Sequence, residues 1–344
     1  MHQSKIKNLR NLLIEDGISA TRGINSDIFD DSKILITGST GLIGINFLMS
    51  LIQLSKLNEL KLEIYAQHNS NISDTLMEVF NYPNIRFIQG DITDENFISS
   101  LPNFDFIIHS AGYAQPGRFM QDKIKTYSIS TRSTDLLFKR LHHDGHFLFL
   151  SSAEIYTGLS LNCNEGQIGV SSPDHPRSCY IEGKRGGETI VNIYRENGYK
   201  ASSARLALAY GPGPKIDDMR VLNQFITKGL KGDINLMDSG DAIRTYAYIS
   251  DVSKILLNIL VKPNHATYNV GGKSKVTIRE LAELIALNLG VNVNVPKNDS
   301  YLSGAPREVG LNLDRIENEY LISNYVTLEE GLDKTIEWYK NLLS

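Results

Sequence analysis

Only two of the 344 residues are cysteine, Cys163 and Cys179. Two thiols cannot build a disulfide framework or supply a cysteine-rich zinc site, and such sparing use fits a reducing, cytoplasmic location. No stretch reaches the roughly 18 consecutive apolar residues of a membrane span, so no membrane partner is expected. Basic runs are missing too. Lys and Arg total 35 against 39 Asp and Glu, a net charge of −4 that gives no footprint for nucleic acid. His142, His143 and His146 lie close together, but Gly145 interrupts the helix expected there and no carboxylate or thiol cluster stands beside them. They are read as a solvated helix end, and no metal site is expected. Internal repeats and low-complexity segments are lacking as well.

What is present is a chain long enough for one large or two closely packed domains, 41% apolar and 22% charged. Residues 1–30 place Ile6, Leu9, Leu12 and Leu13 at three- to four-residue spacing among Lys5, Lys7, Arg10, Glu15 and Asp16. That pattern predicts an amphipathic helix packed on the domain or on a second subunit, without the continuous apolar segment of a secretion signal. From residue 33 short apolar strands alternate with helical periodicity. Strands are expected at 33–37, 63–66, 86–89, 104–109, 147–151 and 201–206, with helices at 42–54 and 124–141 among the segments between. The alternation predicts an α/β fold of Rossmann type, a doubly wound parallel sheet covered on both faces. After Tyr210 the texture changes. Gly211-Pro-Gly-Pro214 breaks regular structure, and a helix at 278–289 follows later.

Two motifs carry chemistry. The expected first strand, Lys33-Ile-Leu-Ile-Thr37, runs into Gly38-Ser-Thr-Gly41-Leu-Ile-Gly44 and then a helix. Glycine in this turn lets the backbone reverse tightly and approach a pyrophosphate, while the free amides of the following helix face the phosphates. The strand-turn-helix context raises the motif above a chance glycine triplet. Further on, Tyr180-Ile-Glu-Gly-Lys184 puts a phenol and an ammonium on one helix face at i and i+4. A phenol of ordinary pKa near 10 is a poor base, and a nearby ammonium favours the phenolate. Ser152, after the fifth strand, can hydrogen-bond the same substrate hydroxyl. Together they imply hydride chemistry on a nicotinamide, with Tyr180 transferring the proton.

The Gly-x-x-Gly-x-x-Gly spacing resembles that of the extended short-chain dehydrogenases, and the resemblance runs from about residue 33 to 340. It implies cofactor contacts from Gly38, Thr40, Gly41, Leu42, Ile43 and Gly44, and from Asp91 and Ile92 at the adenine. It also implies contacts from Ser110, Ala111 and Gly112 under the nicotinamide ribose, with His109 packed beneath, and from Tyr180 and Lys184. The second strand ends Ala66-Gln67-His68-Asn69 with no acid for the ribose hydroxyls, which leaves NADP open; the resemblance to enzymes that recycle a tightly held cofactor favours NAD. Ser152, Tyr180 and Lys184 match the family triad.

The strings Ile124-Lys-Thr126, Ser151-Ser-Ala-Glu-Ile-Tyr156, Pro176-Arg-Ser-Cys-Tyr-Ile-Glu-Gly-Lys-Arg185 and Arg220-Val-Leu-Asn-Gln-Phe225 are similar to those of the UDP-glucuronate decarboxylases. That resemblance implies a nucleotide-sugar substrate oxidised at C4 and a homodimer. It implies Glu154 and Arg307 in the chemistry, with Arg220, Arg244, Tyr248 and Arg307 binding substrate. Ala153 replaces a hydroxyl residue of the decarboxylases, as in many 4-epimerases, and it argues against the Asp-Glu pair of the 4,6-dehydratases. Ser130 replaces a common asparagine. The expected division is a helical extension at 1–30, a dinucleotide-binding region at 31–205 plus about 241–265, and a smaller α/β sugar-nucleotide region at 206–240 plus 266–344.

Overall fold

The computed structural model describes residues 2–159, 162–296 and 310–343. Numbered in chain order, the first strands are β1 (Ser32–Thr37), β2 (Leu62–His68), β3 (Ile85–Gln89), β4 (Phe104–His109), β5 (Leu141–Ser152) and β6 (Lys200–Leu206). Next come β7 (Leu208–Tyr210), β8 (Ile234–Asn235), β9 (Ile243–Tyr248) and β10 (Thr267–Val270). The last two are β11 (Ser274–Thr277) and β12 (Val293–Asn294).

Seven strands form one parallel sheet in the order β10-β6-β5-β4-β1-β2-β3. Strand order reverses between β1 and β4, which is where a doubly wound sheet opens a crevice at its carboxyl edge. Successive β1 side chains explain the double covering. Ile34 and Ile36 enter the core on one face, and Leu35 enters the core on the other. A smaller sheet, β11-β9-β7, and the β8/β12 pair make up the rest.

All six expected strands are present, with differences in between. The helix expected at 124–141 is two, Lys123–Ser130 and Arg132–Phe138, and β5 starts at Leu141. His142, His143 and His146 therefore lie on a strand, where the β4–β5 register shifts near Gly145, and not on a helix end. Thr267–Val270, expected within the sugar-nucleotide region, is the seventh strand of the main sheet, parallel to β6.

The N-terminal helix, His2–Thr21, is part of the body of the molecule. Ile6, Leu9, Leu13 and Ala20 are buried, and its neighbours are the helices Leu42–Leu57, Ile249–Val261 and Leu328–Leu343. This cover explains why Leu42–Leu57 is buried almost all round, a pattern that a single-faced surface helix would not show. Asp16 on the N-terminal helix is 2% exposed; it accepts from the Tyr248 hydroxyl at 2.7 Å and from Lys334 Nζ at 3.0 Å.

Asp251 opens the Ile249–Val261 helix and accepts from the Val326 amide at 2.9 Å. Burial pushes its pKa from 3.8 up to about 6, against the pull of that hydrogen bond and of Lys254. Between these two values the folded chain keeps a proton that the unfolded chain has released. Stability therefore falls as pH rises through this window, and the cost is complete above it. Two pH units correspond to about 3 kcal/mol. Asp251→Asn is expected to raise the thermal midpoint at neutral pH, with the gain shrinking toward about pH 4. A midpoint at neutral pH equal to or below that of the parent chain would contradict this.

Candidate active site

The crevice begins where β1 ends. Gly38 has φ +65°, and a Cβ there would lie 2.6 Å from Ala111 Cα, so only glycine lets the two loops meet. A Cβ on Gly44 would come within 2.5 Å of the Gly38 carbonyl oxygen. Gly41 is the N-cap of the Leu42–Leu57 helix, whose first turn carries no capping side chain and no acid. The free amides around Leu42 and Ile43 are thus left for an anion. Thr40 is half-buried and Gly41 exposed beside them.

Below this turn a chain of hydrogen bonds locks two loops together. His109 is fully buried, and burial drops its pKa to about 3, so the ring is neutral. Its Nε2 lies 2.9 Å from the Ile129 carbonyl and must carry the proton; Nδ1, 2.8 Å away from Thr37 Oγ1, then accepts from that hydroxyl. Thr37 Oγ1 in turn accepts from the Ala111 amide at 3.1 Å, and Ser110 Oγ donates to the Thr37 carbonyl. His109 is a structural pin, as expected of its place at the strand end.

Gln67, in the second-strand end that lacks an acid, is engaged by the glycine turn itself. Its side chain accepts from the Gly38 amide at 3.0 Å and donates to the Gly90 carbonyl at 2.6 Å. The residue braces the glycine turn from below. Asp91 accepts from Lys125 Nζ at 2.6 Å and from Thr93, with its pKa held below the usual range despite burial. Ile92 is buried in the core beside it.

The reacting groups come from β5 and the helix Ser178–Glu196. Gly187 lets the Lys123–Ser130 helix approach this helix closely, since a Cβ there would meet Ser130 O at 2.6 Å. Tyr180 stacks on Phe119 with ring centroids 4.8 Å apart. Burial pushes its pKa up to about 12, and the Glu154 charge adds to this; the Ser152 hydroxyl, hydrogen-bonded to the phenol, and Arg177 pull it back. Ser152 Oγ also accepts from the Glu154 amide at 3.2 Å.

Lys184 is 5% exposed; Nζ donates to the Leu150 carbonyl at 2.7 Å and burial lowers its pKa to about 8. A Cβ on exposed Gly112 would lie 3.7 Å from that Nζ, so the ammonium faces the segment expected under the nicotinamide ribose. The ammonium expected to favour the phenolate thus reaches the cofactor loop while its Nζ stays 5.8 Å from the Tyr180 ring centroid, and Ser152 and Arg177 act on the phenol as well. Arg177 had no role assigned from sequence, although its i, i+3 spacing to Tyr180 was a signal. Phe119 carried none.

Behind the site lies a buried ion pair. Arg205 Nη2 donates to Glu188 Oε2 at 2.7 Å and Nε to Oε1 at 3.0 Å, with both side chains under a tenth exposed. Ser151 Oγ donates to Glu188 at 2.5 Å, and Arg205 Nη1 donates to the Tyr156 hydroxyl at 2.7 Å.

Of the expected substrate-binding residues, Arg220 is held by two bonds to Asp218, Nη2 to Oδ2 at 2.6 Å and Nε to Oδ1 at 3.0 Å. Arg244 Nη1 donates to the Ile243 carbonyl at 2.7 Å. Burial pushes the Tyr246 phenol up to about 12, and both guanidinium charges pull against that shift. Tyr248 does not join them. It is fully buried and its hydroxyl is taken by Asp16, on the N-terminal helix. Arg307 lies outside the described residues.

The residues present fit a dinucleotide. The glycine cradle is open, and the Ser39 hydroxyl, buried within the turn, has no hydrogen-bond partner in the protein. A tyrosine and a buried lysine beside a dinucleotide crevice are the arrangement expected of the extended short-chain fold. Residues 34–271 match the NAD dependent epimerase/dehydratase family, and the chain belongs to that family of NAD-dependent, nucleotide-sugar-modifying enzymes. Among curated proteins it is 30% identical over 268 residues to "UDP-glucuronic acid decarboxylase 6" of Arabidopsis thaliana, covering 76% of each chain. It is 27% identical over 321 residues to "UDP-glucuronic acid decarboxylase 1" of Xenopus tropicalis, covering 91% of this chain and 73% of the relative. Solved structures share the fold. A dTDP-glucose 4,6-dehydratase from Streptomyces venezuelae with NAD bound superposes with TM-score 0.73 at 23% identity, over 89% of this chain and 96% of the other. A UDP-glucose 4-epimerase from Thermotoga maritima gives 0.72 at 24%, over 91% and 100%. No described helix is long and apolar enough to cross a membrane.

Proposed function

We propose that the chain oxidises the C4 hydroxyl of a nucleotide sugar, and that its substrate is UDP-glucuronate, which it decarboxylates. The observation that carries the first half is the convergence of Ser152, Glu154 and Tyr180 at the carboxyl end of β5, beside Lys184 and the Gly112 loop. NAD held by the glycine turn supplies the hydride acceptor and the positive charge of its nicotinamide. Tyr180 takes the proton of the C4 hydroxyl while the hydrogen on C4 leaves as hydride, Ser152 holds the same oxygen, and Lys184 binds the ribose side. Arg220 and Arg244 form charge-assisted bonds to the diphosphate. A C4 ketone is β to the C6 carboxylate, so carbon dioxide leaves while the C5–C6 electron pair stays behind as an enolate; C5 then takes up a proton, and return of the hydride to C4 would restore the oxidised cofactor. Arg307 would position that carboxylate.

The similarity to UDP-glucuronic acid decarboxylases over most of the chain supports this outcome. A second reading, 4-epimerisation, is favoured by Ala153 alone. Incubation with UDP-, dTDP-, CDP- and GDP-sugars, read by product mass and by absorbance of the reduced nicotinamide, tests both. Loss of carbon dioxide from UDP-glucuronate without net absorbance change is expected. An isomer of unchanged mass would mean epimerisation, and a net absorbance change would mean a free oxidase or reductase. The Ile124 and Tyr127 side chains, 80% and 44% exposed beside the Tyr180 helix, support a homodimer formed on that face.

A further inference from the structure

Glu154 and Arg177 are joined by one hydrogen bond, from Arg177 Nη2 to Glu154 Oε1. An arginine–carboxylate pair ordinarily closes with two parallel bonds. Here the second bond is missing. Glu154 Oε2 and Arg177 Nε are both buried, and neither has a partner in the protein. Burial without a partner costs free energy at each atom, so such a pair of orphans marks a place for polar groups that arrive from outside.

Both residues adjoin the reacting centre. Glu154 follows Ser152 by two positions and its amide donates to Ser152 Oγ; its charge also acts on Tyr180. Arg177 sits one helical turn before Tyr180 and lies over Phe119, 5.3 Å from that ring's centroid, while Phe119 stacks on Tyr180. The orphan atoms are of opposite kinds. An ionised carboxylate oxygen only accepts, and the guanidinium Nε only donates. A hydroxyl answers both at once, donating to Glu154 Oε2 and accepting from Arg177 Nε. A carboxylate offers no proton to Glu154 and brings a second negative charge against it.

We propose that the Arg177–Glu154 pair is the sugar-ring subsite, recognising a hydroxyl adjacent to the one that Tyr180 deprotonates. The assignment rests on the nucleotide-sugar reading above and adds a substrate-binding residue, Arg177, to it. Burial raises the Glu154 pKa, and the Arg177 charge and hydrogen bond pull it back toward the ionised form.

Binding measured by titration calorimetry in the Tyr180→Phe background, where turnover is blocked, tests it with UDP, UDP-glucose and UDP-glucuronate in the presence of NAD. The quantity read is how much more tightly each sugar nucleotide binds than UDP alone. Arg177→Gln is expected to reduce that increment roughly ten- to a hundredfold, equally for both sugars, and to leave UDP affinity unchanged. Arg177→Lys, which keeps the charge but lacks the fork, is expected to show the same loss while guarding against misfolding of the first variant.

An unchanged increment in both variants overturns the assignment, as does a loss confined to UDP-glucuronate, which would make Arg177 a carboxylate ligand. If the parent chain binds neither sugar more tightly than UDP, the subsite fails together with the UDP-sugar reading it rests on. A parent chain that shows the increment but releases no carbon dioxide overturns decarboxylation alone.

Discussion

Tyr180→Phe is expected to lower kcat by roughly 10²- to 10⁴-fold, the usual contribution of one positioned proton-transfer group. Binding of NAD and of nucleotide sugar should survive. The ring stacks on Phe119 with an interplanar angle of 13°, and phenylalanine preserves that contact. What disappears is the hydroxyl that Ser152 engages. The size of the effect follows from the environment. A phenol pushed up to about 12 has no spontaneous tendency to ionise at neutral pH, so the chemistry depends on the groups that pull the other way, Ser152 and Arg177 among the protein's own. Single-turnover measurements at saturating substrate separate the chemical step from binding. A variant within about threefold of the parent rate would remove Tyr180 from the mechanism and leave Ser152 or Glu154 to take the proton.

Glu188→Ala should cost the most stability. Removing it leaves the Arg205 guanidinium, with 4% of its side chain exposed, without a counter-charge, and such a loss typically destabilises by about 3–5 kcal/mol. It also strips the acceptor from Ser151, the residue before Ser152 on β5. Urea unfolding measures the loss. The double variant Glu188→Ala/Arg205→Met should recover part of it, because the stranded charge goes with its partner. A single-variant loss below about 1 kcal/mol would mean that the Tyr156 hydroxyl and the Glu165 and Gln167 carbonyls alone suffice to hold Arg205.

The sheet was readable because β1 and β4 are short apolar runs buried on both faces and the others carry shorter apolar stretches, although β3 is partly exposed and β5 runs to twelve residues. β10 was not. Thr267–Val270 is four residues long, follows a long excursion, and carries no periodic signal that distinguishes an edge strand of one sheet from a strand of another. The helix expected at 124–141 failed at its end because Leu141 pairs with Phe104 in β5, a non-local constraint. In the site, Gly38, Ser152, Tyr180 and Lys184 were legible from motif and spacing, and the structure brings the last three together. The sense of the charges was not legible. Sequence places Lys184 one turn from Tyr180, and only the fold shows that its Nζ, 5.8 Å from the Tyr180 ring centroid, is also bound by the Leu150 carbonyl and faces the Gly112 loop. Tyr248 illustrates the same limit: a tyrosine closing β9 near Arg244 reads as a substrate contact until Asp16, far away in the chain, claims its hydroxyl. The second strand was read only for its missing acid, and the brace that Gln67 forms under the glycine turn carried no sequence signal.

The Asp16–Tyr248 bond also sets where this protein can be cut. The family match begins at residue 34, which would suggest that the preceding residues are dispensable. Physically the boundary lies elsewhere. A chain shortened to residue 34 would bare one side of the apolar Leu42–Leu57 helix, strand the Tyr248 hydroxyl and take the Asp16 carboxylate from Lys334. Such a fragment would keep every glycine and the tyrosine of its active site, yet it would carry a greasy seam ready to stick to its own kind.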